Sequence, residues 1–431
     1  MDGSPGEEHL AFTQWAASNG VKINGIAPAR FPGRRLGMVA TRTIKEDEVI
    51  LSVPLGLMVT IDSIPSWFVD RFPENASIHA IMSAYLTHGD AELLQPLEAW
   101  RRTWPSWQEF EDTMPVLWPE HLRRLNSSGS EMGSTSSSEP SILPLSISGL
   151  WNSFSKRQVN VDYETRYQQL LAQQEKRLKD SWEHVVSVFP DTKWEDFAYH
   201  WFIINSRSFY YTSPGKGEPE DWNDAIALVP FADYFNHEDE AACGVNFDGS
   251  KYTFTATKKY AKGEEIFMSY GGHSNDFLLV EYGFYLDQNE SDSIYLDDII
   301  FPELSLPQKK ELALREYFGN FEVSEEGPST STQLAACLKY MSLRDWRKYV
   351  LGQSDRSVDR QKTAAVIREW VDTYRKESIT TISIIENMKK KAAAADSTAV
   401  ESKKETERLD MILGRWIQIQ QLCEKIIERL R

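Results

Sequence analysis

The residues best suited to chemistry lie between positions 229 and 284. An apolar segment ends in Asn236-His237, a predicted strand ends in Tyr270-Gly271, and Tyr282-Gly283-Phe284 follows. Taken alone, a tyrosine after a strand is most often a core residue, and an Asn-His pair is most often a turn or a cap. A metal site is not expected, because no companion ligands for the histidine are evident. In this order, however, the features predict a site with the Tyr270 hydroxyl at a sheet edge.

These features together resemble the active-site core of SET-domain protein-lysine methyltransferases. Further segments are similar to the branch typified by plant Rubisco large-subunit lysine methyltransferase, which also includes fungal ribosomal-protein lysine methyltransferases. The matching segments are residues 10–15, 19–21, 32–40, 50–54 and 206–209. The resemblance implies transfer of a methyl group from S-adenosyl-L-methionine to a lysine ε-amine of a protein. A non-histone protein is favoured, and by analogy to the fungal relatives we expect a ribosomal protein.

The resemblance also assigns roles to individual residues. The catalytic residues would be Tyr270 and Tyr282. The cofactor would be held by Leu36, Gly37, Arg207, Asn236, His237, Tyr270 and Phe284. The channel for the substrate lysine would be lined by Ser206, Phe209, Asp233 and Tyr282.

Two of these assignments leave alternatives open. The Arg207 guanidinium would pair with the carboxylate of the cofactor, or it is a helix-terminal arginine that pairs with a carboxylate of this acidic chain. Arg35 stands where the family usually has the first glycine of Gly-x-Gly. Arg35 therefore leaves the conformation of the loop before Gly37 open, and Gly33 offers a shifted turn.

The expected reaction requires a neutral amine. An unperturbed lysine has a pKa near 10.4, so only about one in a few thousand is neutral at pH 7. An apolar, aromatic-lined channel beside a positive sulfonium would lower that pKa through desolvation and like-charge repulsion. No strong general base is then obligatory.

Composition limits the class of protein and its partners. The chain has 431 residues, three cysteines and a formal net charge of −17. Three widely spaced cysteines build neither a disulfide framework nor a Cys-rich zinc cluster. We expect a basic protein substrate, no direct nucleic-acid partner and no membrane span, with a cytoplasmic or nuclear location, or both. The oligomeric state is not indicated.

The fold class expected is α+β. Residues 1–300 would form a split SET domain of small β-sheets, interrupted by a helical insert at about 63–190 and followed by an all-α substrate-binding domain at 301–431. A Ser-rich loop at about 126–141 is predicted to be disordered. The rival function is a catalytically weak SET scaffold that only binds a basic segment.

Apolar spacing predicts several elements around this site. Asp248-Gly249 predicts a hairpin, in which Tyr252, Phe254 and Ala256 share one face. A helix from Trp194, capped by Thr192, would deliver Ser206-Arg207 at its end. Further helices are predicted at residues 163–188, 307–318, 359–376, 379–391 and 405–431, and the last of these is expected to pack within its own domain.

Overall fold

The computed structural model describes residues 4–31, 35–123, 142–148, 163–215, 217, 222–394 and 400–431. The loop predicted to be disordered at 126–141 lies outside the described residues, and so does Gly33. By contacts the chain forms two units. The first comprises Met1–Phe110 and Glu175–Gly272, and the second comprises Glu111–Gln174 and His273–Arg431. The division at residue 300 that the sequence suggested stays a prediction.

The strands of the described residues are short. In chain order they are β1 (Lys22–Ile23), β2 (Ile26–Phe31), β3 (Arg35–Ala40), β4 (Val49–Pro54), β5 (Val59–Thr60), β6 (Ser208–Tyr210), β7 (Ile226–Leu228), β8 (Asn236–His237), β9 (Cys243–Phe247), β10 (Lys251–Ala256), β11 (Glu265–Met268), β12 (Ser293–Tyr295), β13 (Glu322–Ser324) and β14 (Gly327–Pro328).

Helices make up much of the rest. In chain order the described ones are α1 (Glu7–Ser18), α2 (Ser66–Val69), α3 (Ile78–His88), α4 (Ala91–Leu94), α5 (Glu98–Arg101), α6 (Trp107–Thr113), α7 (Glu120–Arg123), α8 (Leu145–Ser148), α9 (Leu170–Val188), α10 (Trp194–Arg207), α11 (Asn275–Tyr282), α12 (Asp297–Ile300), α13 (Leu306–Ala313), α14 (Thr330–Cys337), α15 (Leu343–Val350), α16 (Arg360–Ala394) and α17 (Val400–Arg429).

The first unit contains three small sheets. Their strand orders are β1-β4-β10-β9, β2-β3-β11-β8 and β5-β7-β6. Strands β9 and β10 form the predicted antiparallel hairpin, and Tyr252, Phe254 and Ala256 are all buried as expected. Strand β8 pairs with β11 in parallel, with Asn236 opposite Phe267. The α+β fold of small sheets with a helical stretch between β5 and β6 is therefore confirmed.

Aromatic side chains from α1 and the helical stretch form a core in the first unit. Phe12 of α1 stacks on Trp100 with ring centroids 6.1 Å apart and ring planes 2° apart. Phe12 also contacts Phe231 and Tyr234, whose rings meet edge to face at 5.4 Å. Because interiors are close-packed, this cluster fixes the segment that leads into Asn236-His237.

The helix predictions fail where side-chain packing overrides periodicity. The helix predicted from 163 begins only at Leu170, because Gln169 has a left-handed backbone (φ 56°) and Tyr163 is drawn into contact with Phe301 and Phe318. The helix predicted to reach residue 318 ends at Ala313. Two helices predicted around residue 378 are one continuous α16, in which the polar residues at the supposed break are buried.

The second unit is mostly helical but also contains a sheet in the order β12-β13-β14. The sequence did not predict this sheet, since β13 and β14 are too short to show alternation. Helices α14 and α15 were also missed. The apolar stripe of α17 is buried as predicted, with Trp416 near Tyr374 of α16 at 6.2 Å between ring centroids.

Candidate active site

The site begins with a strained turn that precedes β8. Phe231 has φ 71° and ψ −30°, an unusual conformation for a residue with a Cβ, and it is fully buried. A single turn of 3₁₀-helix, Ala232–Tyr234, follows. The Tyr234 hydroxyl lies 2.8 Å from Nδ1 of His9 on α1. The strain is maintained by this surrounding packing, and such strain is concentrated at functional sites.

Asn236 connects this turn to strand β3. Its Nδ2 donates to the Leu36 carbonyl oxygen at 2.9 Å and to Oε1 of Glu265 at 2.8 Å. A Cβ at Gly37 would lie 2.6 Å from Nδ2 of Asn236 and 2.5 Å from Oε1 of Glu265. Any larger residue at position 37 would therefore displace the Asn236 and Glu265 side chains, and the structure brings Leu36, Gly37 and Asn236 together.

His237 and Tyr270 form a stacked pair. Their ring centroids are 4.9 Å apart with an interplanar angle of 24°, and the Tyr270 backbone N–H donates to Nδ1 of His237 at 3.1 Å. The Met268 carbonyl oxygen lies farther from the same nitrogen, at 3.4 Å. Since a backbone N–H can only donate, we assign Nδ1 as the acceptor and place the proton of the neutral imidazole on Nε2.

The Tyr270 hydroxyl is directed at the main chain. It donates to the Phe235 carbonyl oxygen at 2.6 Å. Burial raises the pKa of Tyr270 to about 12, with Arg207 opposing and Asp233 adding to the shift. The hydroxyl therefore remains protonated at neutral pH, and its oxygen can accept a hydrogen bond from a further donor.

Arg207, at the end of α10, is paired with Asp233. Its Nη1 donates to the Asp233 carbonyl oxygen at 3.0 Å and to Oδ2 at 3.2 Å, and Trp100 Nε1 also donates to Oδ2 at 3.1 Å. The Asp233 side chain is only 3% exposed, and burial raises the pKa of its carboxyl although Arg207 opposes the shift. Arg207 Nε and Asp233 Oδ1 are buried without a hydrogen-bond partner in the described part of the chain.

This pair bears on the two alternatives for Arg207. The predicted pairing with a carboxylate of the chain itself is observed. Pairing with the carboxylate of a cofactor stays a prediction, and Nε is the atom left for it. The Asp233 carbonyl oxygen, expected to line the methyl-transfer channel, already accepts one hydrogen bond from Arg207.

The remaining channel residues of the first unit lie on α10 and β6. Ser206 turns its hydroxyl back onto the Phe202 carbonyl oxygen at 2.7 Å, so only its backbone carbonyl could line a channel. Phe209 meets Phe254 edge to face at 5.9 Å, and Phe254 stacks on Phe235 at 5.4 Å. A chain of packed aromatic rings therefore runs from the partly exposed Phe209 through the buried Phe254 to Phe235, whose carbonyl oxygen accepts from the Tyr270 hydroxyl.

Tyr282 and Phe284 belong to the second unit. Tyr282 is the last residue of α11, and Gly283 ends the helix in a left-handed conformation (φ 77°). A Cβ at Gly283 would lie 2.7 Å from Oγ1 of Thr113. The Tyr282 and Phe284 rings are 6.2 Å apart. Their roles in catalysis and cofactor binding stay predictions.

Three contributors to the site were missed from the sequence. The Phe235 carbonyl oxygen accepts from Tyr270, Glu265 shares the amide of Asn236, and Trp100 donates to Asp233. A backbone acceptor carries no side-chain signal, and an acidic residue opening a strand after a turn is unremarkable. The sequence shows Trp100 as a tryptophan far from the other site residues, with no local pattern that relates it to Asp233.

Among the described residues, no group of three or more His, Cys, Asp or Glu side chains is placed to hold a metal ion. No described helix is both long enough and apolar enough to cross a membrane.

Comparison with known proteins gives a family match. Residues 35–271 match the SET domain. Ribosomal lysine N-methyltransferase set11 of Schizosaccharomyces pombe is 33% identical over 177 residues, which cover 38% of this chain and 45% of that enzyme. SET domain-containing protein 4 of Homo sapiens is 22% identical over 430 residues, covering 92% of this chain and 88% of that protein.

A solved structure shares the fold over nearly the whole chain. The crystal structure of the SET domain of LSMT, bound to methyl-lysine and AdoHcy, aligns with a TM-score of 0.57 at 16% identity. The alignment covers 99% of this chain and 94% of that one.

Proposed function

This chain belongs to the SET-domain family, and we propose that it is an S-adenosyl-L-methionine-dependent protein-lysine N-methyltransferase that acts on a ribosomal protein. The observation that carries the proposal is the Tyr270 hydroxyl. It is buried, protonated and already donating to Phe235, at the end of β11 beside the Asn236-His237 pair. A lysine ε-amine that enters the site can therefore use the Tyr270 oxygen only as an acceptor.

The first unit offers groups that fit the cofactor. S-adenosyl-L-methionine, when bound, supplies a methyl group on a positive sulfonium together with its leaving group. The buried Arg207 Nε without a partner suits a carboxylate, because charge-assisted hydrogen bonds to guanidinium are strong. The backbone at Gly37, where no Cβ fits, lies against the Asn236 amide and would take part in holding the methionine portion.

Tyr270 would orient the amine for attack. A neutral amine has one lone pair and two N–H donors. If one N–H donates to the Tyr270 oxygen, the direction of the lone pair is restricted, and it can be aimed at the methyl carbon. Positioning of this kind contributes several kcal/mol to catalysis without any covalent step on the enzyme.

The surroundings would also keep the amine neutral. Phe209 is partly exposed and packs on the buried ring of Phe254, and desolvation of a lysine against Phe209 would lower the pKa of that lysine. The proton is lost to solvent before the amine enters. Tyr270, with a pKa raised to about 12, is too weak an acid and too poor a base to shuttle it at neutral pH.

A ribosomal substrate is supported by the enzymes that this chain resembles and by the negative net charge of the chain. Ribosomal lysine N-methyltransferases are among the proteins this chain resembles, at 33% identity for two yeast enzymes. The net charge of −17 would attract a lysine-rich protein through long-range steering. An enzyme of this kind would work in the cytoplasm, in the nucleus or in both. We further propose that residues 301–431 bind the substrate protein.

The experiment is transfer of a labelled methyl group. Purified protein is incubated with methyl-labelled S-adenosyl-L-methionine and, separately, with ribosomal proteins, core histones and a general mixture of cellular proteins. We expect label on a ribosomal protein and methyl-lysine after hydrolysis. Label on another amino acid would contradict the lysine assignment, and label confined to another protein would contradict the ribosomal one. Tight binding of basic proteins with no transfer would favour the weak scaffold.

A further inference from the structure

A guanidinium is fully buried in the second unit. Arg415 of α17 has a side-chain exposure of 0%, and its partners Asp276 and Asp292 have side-chain exposures of 1% and 10%. Its Nε donates to Asp276 Oδ1 at 2.6 Å, Nη1 to Asp292 Oδ2 at 2.7 Å and Nη2 to Asp292 Oδ1 at 3.0 Å. We call these three residues the Arg415 cluster.

The Arg415 cluster joins two points of one segment. Asp276 lies in the first turn of α11, and Asp292 lies just before β12. Asp292 Oδ1 also accepts the Asn275 backbone N–H at 2.9 Å. The guanidinium therefore fixes both the start of α11 and the residue that directly precedes β12. Tyr282 and Phe284 lie between these two points in the sequence.

Neighbouring residues of α17 hold the same segment from the same face. Gln418 Oε1 accepts from Asn275 Nδ2 at 3.0 Å, and Gln418 Nε2 donates to the Leu286 carbonyl oxygen at 2.9 Å. The Tyr285 hydroxyl donates to the Met411 carbonyl oxygen at 3.1 Å. Residues 275–292 are thus bonded to α17 at several points along their length.

Stability alone is a poor explanation of such a cluster. Burial raises the pKa of Asp276, and Arg415 opposes this shift. Burial also acts to lower the pKa of Arg415, but the opposite effect of Asp276 and Asp292 is larger. Apolar residues of similar volume are often as stabilising as a buried ion pair. What a bidentate guanidinium adds is directional restraint, since its planar fork admits one geometry.

We propose that Arg415 is a positioning residue for methyl transfer: it holds residues 275–292, and with them Tyr282 and Phe284, in one arrangement. This inference rests on the proposed function, because it relies on the roles predicted for those two residues. It makes the last helix a component of the catalytic apparatus in addition to any role in binding the substrate protein.

The test compares Arg415→Lys with Ile426→Val. Lysine keeps the charge but cannot bond Asp276 and both oxygens of Asp292 with the same geometry. Ile426 is a buried residue further along α17, and its shortening gives a modest loss of stability that leaves the cluster intact. Both variants are assayed well below their melting temperatures, with turnover, cofactor affinity, the proportions of mono-, di- and trimethyl-lysine, and hydrogen exchange of residues 275–292 as readouts.

We expect Arg415→Lys to lose at least about tenfold in turnover, to change the proportions of methylated products and to exchange faster in residues 275–292. Ile426→Val should retain turnover and product proportions. The triple variant Arg415→Met, Asp276→Asn, Asp292→Asn removes all charges from the cluster, so we expect it to regain thermal stability relative to Arg415→Met alone without regaining turnover.

Two results would overturn the proposal. One is equal turnover and product proportions in Arg415→Lys and Ile426→Val. The other is unchanged exchange of residues 275–292 in Arg415→Lys, which counts against positioning whether or not the protein is active. If the wild-type protein transfers no methyl group while exchange in Arg415→Lys does increase, the restraint is real and the proposed function is what fails.

Discussion

At the scale of residues, the pair between Arg207 and Asp233 best illustrates how the site is built. Nη1 of Arg207 donates twice to Asp233, while Nε has no hydrogen-bond partner among the described residues. A buried donor without a partner costs free energy, and such a cost is tolerated where a ligand later supplies the acceptor. We therefore predict two functions for Arg207, to restrain the turn and to bind the cofactor.

These two functions are separable by mutation. Arg207→Ala should lower the free energy of unfolding by about 2 to 3 kcal/mol, because it leaves the Asp233 carboxylate buried and unpaired. It should also weaken cofactor binding about 10- to 100-fold. Denaturant unfolding and calorimetry measure the two effects.

The double variant Arg207→Ala, Asp233→Asn provides the control. Without the buried charge, we expect most of the lost stability to return while cofactor affinity remains low. Recovery of cofactor affinity in the double variant would show that Arg207 acts only through Asp233.

The site residues differ in how far the sequence could reveal them. Tyr270, Asn236 and His237 were identified because their types and order are distinctive. The pairing of Arg207 with Asp233 was anticipated only as a generic carboxylate partner, since no local pattern relates the end of α10 to a turn so far along the chain. The Phe235 carbonyl could not be foreseen at all, because backbone geometry sets it.

At the scale of elements, the site depends on β3, β8 and β11 lying side by side. Strand β3 pairs with β11 in antiparallel and β8 pairs with β11 in parallel. The side-chain amide of Asn236 on β8 donates a hydrogen bond to the Leu36 carbonyl oxygen on β3. Short strands of this kind have little stability of their own, so the side-chain bonds between them contribute substantially to their register.

Gly37 tests this arrangement. Gly37→Ala would force a Cβ against Asn236 and Glu265, and we expect a loss of about 1 to 3 kcal/mol in unfolding free energy with a matching loss of cofactor affinity. Gly56→Ala is the matched control, because nothing lies within 4 Å of its added Cβ. The control should be neutral or slightly stabilising. If the two variants have the same melting temperature and the same cofactor affinity, the close approach at Gly37 affects neither stability nor binding.

Element boundaries show where sequence patterns stop being informative. Helix α10 was predicted correctly from Trp194 to Arg207 because its buried positions follow a helical period, although its N-cap is Lys193 and not Thr192. The break predicted near residue 378 does not exist, since neither glycine nor proline interrupts α16 there. Glu377 and Ser378, which lie between the two predicted helices, are buried within the fold.

At the scale of the whole molecule, buried histidines make stability depend on pH. Burial, with a contribution from Arg101, lowers the pKa of His200 to about 3, and burial also lowers the pKa values of His9 and His88. The unfolded chain binds a proton at each of these histidines near pH 6.5, whereas the folded chain binds it only at a lower pH. Stability is therefore complete above that pH and falls as the pH decreases below it.

We expect the free energy of unfolding to decrease by up to about 1.4 kcal/mol per pH unit for His200 alone between pH 6 and pH 4. His200→Gln should show a shallower dependence on pH over this range, whatever its stability at pH 7. Denaturant unfolding at several pH values measures both slopes. Identical slopes for the two proteins would mean that His200 is protonated in the folded state as readily as in the unfolded one.

The predicted site positions fall in both contact units. Nine of the predicted site positions, from Leu36 to Tyr270, lie in the first unit, while Tyr282 and Phe284 lie in the second. Residues 111–174 and 273–431 make up that second unit, so it cannot be removed by cutting the chain once. Point variants are consequently more informative than truncations.

The role of Tyr270 in methyl transfer is tested most directly by Tyr270→Phe measured beside Tyr260→Phe. Both tyrosines donate to a main-chain carbonyl oxygen, the partly buried Tyr270 to Phe235 at 2.6 Å and the buried Tyr260 to Ala242 at 2.8 Å. We predict that Tyr270→Phe loses about 10- to 100-fold in single-turnover rate with unchanged cofactor affinity, and that Tyr260→Phe retains its rate. Equal single-turnover rates for Tyr270→Phe and the wild-type protein would contradict the assignment.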